Sequence, residues 1–183
     1  MIYKKIMFKK LFVLVLSALV FSIATFNIKA QLLLTADEIP ANLIITFERT
    51  TCLGNCPDYK LTINASGKVQ FQGRQYTETK GLAKGEIKKD QVRELLKEFE
   101  KVNFFSLPSH FTYGKGSCET VVTDMPSAII SIRVSKKRKK VFYYLGCFQN
   151  TKPPFKIFPE KLLLLENKID EIVETKRWTR GRK

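Results

Sequence analysis

The chemistry available to this chain begins with its thiols. Cys52 and Cys56 bracket the stretch Cys52-Leu53-Gly54-Asn55-Cys56-Pro57-Asp58-Tyr59, and two further cysteines stand at Cys118 and Cys147. As thiolates, two sulfurs spaced Cys-x-x-x-Cys can hold a soft ion such as Cu(I), with the sole histidine, His110, completing the set. As a disulfide, the same pair is structural. Gly54 and Asn55 tolerate positive φ, so the chain can reverse there and bring the two Cα atoms within the roughly 7 Å that a bridge allows. Pro57 lacks an N–H and fixes φ, which suits the exit from such a turn. Asp58 and Asp124 could serve as paired carboxylates if the fold brought them together, but Asp124 stands before a proline-containing turn, where an Asx turn or cap accounts for it. The chain has no Gly-x-Ser-x-Gly elbow, no glycine-rich loop spaced for phosphate and no His/Asp/Glu cluster at zinc spacing. The expectation is a protein that is not an enzyme and carries no cofactor, with copper as the alternative.

The elements that must position these residues follow from periodicity. Apolar residues at every second position make strands of Leu43 to Arg49 and of the run from Tyr59 through Ile63, so the cysteine turn joins two half-buried strands. Asn64 to Gly67 closes a hairpin into Lys68 to Gly73. Tyr76 to Thr79 and Leu82 to Ile87 are weaker strand candidates. Asp90 is placed as the N-cap of a helix whose stripe is Val92, Leu95, Leu96, Phe99 and Val102. Phe104, Phe105 and Leu107 plug the core beneath it. Ser109 to Ser117, with His110, reads as a loop. Thr120 to Thr123, Ala128 to Val134 and Val141 to Leu145 read as an antiparallel meander, with Lys136 to Lys140 as a basic turn. Pro153-Pro154 breaks the chain. Pro159 suits the first turn of a last helix with a stripe of Leu162, Leu165, Ile169, Ile172 and Val173, widened by Leu163 and Leu164. The architecture expected is α+β: an antiparallel sheet of about six or seven strands with two helices packed on one face.

Targeting and charge bound the setting. Lys4, Lys5, Lys9 and Lys10 precede an apolar run from Leu11 to Phe26 and the small residue Ala30, the pattern of a secretory signal peptide over residues 1–30. That run is shorter than the roughly 20 residues that span a bilayer, so no membrane span is expected after cleavage, and an uncleaved anchor is the alternative. Residues 31–41 read as a lead-in, 42–178 as one α+β domain and 179–183 as a basic tail. The first 30 residues hold five lysines and no acid, so the net charge of +15 becomes +10 on their removal. The basic residues cluster at Lys136 to Lys140 and from Lys176 to Lys183. They serve either as solvated residues that protect strand edges or as a contact for an anionic surface such as envelope lipid or polysaccharide. No nucleic-acid recognition motif is present.

An exported protein with four cysteines is expected to carry disulfides. The pairing expected is Cys52–Cys56, bracketed by its own turn, with Cys118–Cys147, which would tie the entrance of the meander to its exit. A plain up-down-up meander puts Cys118 and Cys147 at opposite ends, so the crossed pairing Cys52–Cys147 with Cys56–Cys118 stays open.

Two resemblances attach to these residues. The Cys-x-x-x-Cys-Pro element is similar to that of Sco-type copper chaperones, with Cys52, Cys56 and His110 in the matching roles, but those proteins follow it with a helix and here a strand follows. Over a longer span, Asn42 to Trp178, the chain resembles an exported bacterial family, Domain-of-Unknown-Function 6438. The residues that carry the resemblance are Cys52, Gly54, Cys56, Pro57 and Tyr59; then Gly67, Val69, Phe71 and Gly73; then Thr123, Asp124 and Pro126; and last Ile169 and Asp170. The family implies a unit of fold and no activity. The reading is therefore a monomeric, non-catalytic, disulfide-bonded module in the periplasm, the cell envelope or the medium. It would bind an unknown protein or an anionic envelope component. The alternative is a thiol-based copper-binding or redox protein using Cys52 and Cys56.

Overall fold

The computed structural model describes residues 38–112, 118–149 and 158–179. The expected signal peptide, the lead-in as far as residue 37, the Pro153-Pro154 break and the tail beyond Thr179 lie outside them.

Alternation decides the sheet. Strands β1 (Ile44–Arg49), β2 (Tyr59–Asn64) and β3 (Lys68–Gly73) bury Ile45 and Phe47, then Tyr59, Leu61 and Ile63, then Val69 and Phe71. With β4 (Gly81–Glu86), β5 (His110–Phe111), β7 (Ser127–Val134) and β8 (Lys137–Tyr144) they form one seven-stranded sheet of order β4-β3-β2-β1-β7-β8-β5. Every pairing in it is antiparallel except β5 with β8. A β-carbon on Gly73 would collide with the Thr79 carbonyl oxygen, so the turn after β3 closes tightly only because that residue is glycine.

Helix α1 (Lys89–Lys101) turns Val92, Leu95 and Phe99 to the sheet, and α2 (Glu160–Val173) turns Leu162, Leu165, Ile169, Ile172 and Val173 to it. All of these join the sheet's inward residues in one core. The fold is α+β, as expected. No helix among the described residues is long and apolar enough to cross a membrane.

Several expectations are corrected. Helix α1 is capped at Lys88, whose N–H is accepted by the Gln91 side chain at 2.8 Å, and Asp90 sits in the first turn near the positive helix end. Leu96 is half-buried rather than buried, and Leu164 is 60 % exposed, so both helical stripes are narrower than the apolar residues suggest. Residues 76–79 make no strand; Thr77 forms an isolated bridge to Thr179, which is buried. The stretch after Ser109 is not all loop, because His110–Phe111 adds a parallel edge strand. The basic turn shrinks to Ser135 and Lys136, and Lys137 to Lys140 lie in β8. The expected meander of three is also different. Its first run, β6 (Thr120–Val121), leaves the main sheet and pairs instead with β9 (Cys147–Phe148) in a separate ribbon. The place beside β7 is taken by β1.

Candidate functional site

The cysteine turn occupies the end of the sheet where β1 passes to β2. Cys52 and Cys56 are disulfide-bonded, with Cα atoms 5.6 Å apart. Gly54 between them has φ +133°, a backbone that L side chains rarely adopt. Leu53, Gly54 and Asn55 form an exposed apex, with Leu53 82 % exposed. The turn is fastened to the Thr123-to-Ser127 turn: the Leu53 N–H donates to Asp124 O at 3.1 Å, the Thr50 N–H to Ser127 O at 3.0 Å and the Ser127 N–H to Thr50 Oγ1 at 2.9 Å. Asp124, at φ +66°, supplies a backbone carbonyl, and its carboxylate accepts from Thr123 at 3.2 Å. Asp58 is held by Arg74, whose Nε donates to Oδ1 at 2.6 Å. The two carboxylates are thus engaged separately and form no acid–base pair.

Behind the turn lies a buried polar cluster. Arg49 continues the inward parity of Ile45 and Phe47, so its guanidinium enters the space beneath α2, 5.0 Å from the centre of the Phe47 ring. Its Nη2 donates to Asp170 Oδ2 at 3.0 Å, its Nε to the Tyr59 hydroxyl at 3.1 Å, and its Nη1 lies 3.3 Å from Glu166 Oε2. Asp170 Oδ1 accepts the Tyr59 hydroxyl at 2.7 Å and Thr175 Oγ1 at 2.8 Å. Tyr59 is wedged edge-on to Phe47 and stacked on Phe71, which stacks in turn on Trp178. From β8, Tyr143 brings its hydroxyl toward Glu166, outside hydrogen-bond geometry.

The electrostatics follow from burial. Glu166 is 0 % exposed, and burial pushes its carboxyl up to about 7. Arg49 and the Tyr143 hydroxyl pull the other way, and the Asp170 charge adds to the rise. Burial also raises Tyr59 and Tyr143 well above an ordinary phenol, reinforced by the neighbouring carboxylates. Burial works against the Arg49 charge, but Glu166, Tyr59 and Asp170 outweigh it, so the guanidinium stays charged. Arg49, Tyr59 and Asp170 are hydrogen-bonded to one another, Glu166 meets Arg49 through charge alone, and the cluster clamps β1, β2, β8 and α2 together.

Two members of the cluster, Tyr59 and Asp170, belong to the motifs that carry the family resemblance, and a third motif residue, Asp124, holds the turn above it. Residues 43–173 match the family described as a domain of unknown function (DUF6438). The chain belongs to that family. No curated protein matches it in sequence.

In this DUF6438 domain the remaining site residues fall elsewhere. Cys118 and Cys147 are disulfide-bonded with Cα atoms 5.2 Å apart beside the β6–β9 ribbon, where the Glu119 N–H donates to Phe148 O at 3.0 Å. That ribbon removes the objection that a three-strand meander raised. His110 stands on β5, three strands from β1 through β8 and β7, or about 14 Å across the sheet. It does not join Cys52 and Cys56, so a copper site built on those sulfurs would need another third ligand. Among the described residues no three His, Cys, Asp or Glu side chains are grouped to hold a metal ion.

No helix among the described residues covers the outer face of the DUF6438 sheet. Register aligns Lys84, Gln70, Thr62, Thr46, Ser131 and Lys140 in one row, and Asn64, Ile44, Arg133 and Arg138 in the next. Lys60 lies opposite Glu48 and Lys68 opposite Glu86, while Lys84, Lys140, Arg133 and Arg138 have no acid across from them. Arg49, Glu166 and Tyr143 are not among the residues that composition and motif single out. Their signal was positional: each sits at an inward phase of its strand or helix.

Proposed function

We propose that this domain is an exported, non-catalytic binding module whose open sheet face engages an anionic component of the cell envelope. The observation that carries the reading is the row arrangement of that face, mostly polar and with Lys84, Lys140, Arg133 and Arg138 lacking an opposed carboxylate. Two disulfides and the basic balance of the chain are in keeping with an oxidising compartment and a polyanionic partner. The experiment is a binding titration of the chain from Gln31 onward against heparin, polyphosphate and phosphatidylglycerol vesicles over a range of salt. Binding to at least one of them that weakens steeply with salt, and weakens further in Lys140→Glu, is the expected result. No binding to any of the three at low salt would reject the reading.

Copper or redox chemistry at Cys52 and Cys56 is the second reading. The half-buried sulfurs under an exposed apex favour it, and it requires the pair to be reduced.

A further inference from the structure

The outer face is concave toward its β5 edge. A groove of about 740 Å³ lies there, lined by Arg133, Arg138, Lys140, Ser131, His110 and Phe142 among others. That volume falls within the roughly 300–1,000 Å³ of small-ligand sites. Arg133 stands directly opposite Arg138 across β7 and β8. Like charges in that position repel, both side chains are exposed, and neither makes an ion pair among the described residues. An anion placed between them would relieve that repulsion. In the same groove, the His110 and Phe142 rings lie 6.2 Å apart across the β5–β8 pairing, tilted by 39°, forming an aromatic platform in a mostly polar surface. From the groove, the row of Ser131, Thr46, Thr62 and Gln70 runs out across the sheet as a line of hydroxyls and an amide.

We propose that this groove is a subsite for an acidic polysaccharide. Arg133 and Arg138 take a carboxylate, sulfate or phosphate group on one sugar, and the Phe142–His110 platform packs against the apolar face of the adjoining ring. The hydroxyl row accepts and donates hydrogen bonds along the chain. This inference rests on the anionic reading above and narrows it. A bilayer is a poorer fit for these features. The cations line a concavity, and Leu82, the large apolar side chain exposed on this face, lies on β4 at the opposite edge.

The test compares a heparin octasaccharide with polyphosphate of matched charge, phosphatidylglycerol vesicles and a neutral dextran oligosaccharide, at one salt concentration. Arg138→Glu and Phe142→Ala should each weaken the octasaccharide by about tenfold or more, whereas Lys97→Glu, the same charge change on the exposed side of α1, weakens it by less than about threefold. Phe142→Tyr, which keeps a ring, should retain binding. Should Phe142→Ala fail to fold, Phe142→Leu keeps apolar bulk without the ring and should show the same loss. Dextran should not bind, and polyphosphate should be indifferent to the ring. If either ring-deleting variant leaves the octasaccharide within about twofold, or if polyphosphate or vesicles bind as tightly with the same pattern of losses, the glycan subsite is wrong and the general anionic reading survives. Failure of all three polyanions to bind removes both.

Discussion

Glu166→Gln is the most direct probe of the cluster beneath α2. The amide keeps the size of the side chain and removes its proton equilibrium. An ordinary glutamate ionises near 4.5, and in the folded protein Glu166 holds its proton up to about 7. Below pH 4.5 the group is protonated in both folded and unfolded chains, and its contribution to stability is fully present. Between 4.5 and 7 the unfolded chain gives up the proton while the folded chain keeps it, so stability falls as pH rises; above 7 the contribution is gone. That interval corresponds to roughly 3 kcal/mol. The groups facing Glu166 are Arg49 from β1, Tyr143 from β8 and Asp170 on its own helix, with Tyr59 from β2 behind them, and all are common to wild type and variant. Urea unfolding of both proteins with disulfides intact, from about pH 4.5 to pH 8.5, gives the comparison. Wild type should lose roughly 3 kcal/mol relative to the variant over that range, at constant m value. A difference that stays within about 0.5 kcal/mol, or one that grows with pH, would refute the argument.

The two disulfides should differ in weight. Chain-entropy arithmetic gives about 2 kcal/mol for the sequence separation of 4 between Cys52 and Cys56 and about 3.5 kcal/mol for the 29 between Cys118 and Cys147. Replacing each pair by serine and measuring unfolding should reproduce that order, and peptide mapping without reduction should find no cross-link between the pairs; four free thiols in native protein would instead favour the copper or redox reading. In the helices, Leu95→Ala or Ile169→Ala should cost roughly 2–5 kcal/mol, while Leu164→Ala should cost less than about 0.5 kcal/mol. Equal losses at all three would contradict the exposure of Leu164.

What could be read from the sequence was whatever repeated. Ile45 and Phe47 in β1 or Val69 and Phe71 in β3 announce a pleated face by parity, and Val92, Leu95 and Phe99 announce a helix by spacing. Strand β8 was half hidden, because Lys137 to Lys140 carry charge on both faces and erase the alternation until Val141. Strands β6 and β9 have two residues each, too few to show any period, so the ribbon that joins Cys118 to Cys147 was invisible although the pairing itself was anticipated. The cluster was missed for the opposite reason. Arg49 and Glu166 obey the period, but at positions normally apolar, and a charged residue at an inward phase passes for a break in the pattern. Glu166 lies four residues after Leu162 and three before Ile169, which is where the helix buries its side chains. Only the fold brings Arg49 opposite, from 117 residues earlier in the numbering, to make that burial tolerable.

Strand β1 is the first of the described strands to be made yet lies inside the sheet, between β2 and β7. Its partnership with β2 forms across a short turn, but Thr46 meets Ser131 from 85 residues away. A chain emerging N-terminus first therefore completes β1 to β4 as a partial sheet whose growing edge is β1. That edge keeps unpaired N–H and C=O groups until β7 arrives. In kinetic terms the domain has a local half that can form early and a late closing step of high sequence separation. During the interval between them, the edge of β1 is a template that another chain can fill as readily as its own β7.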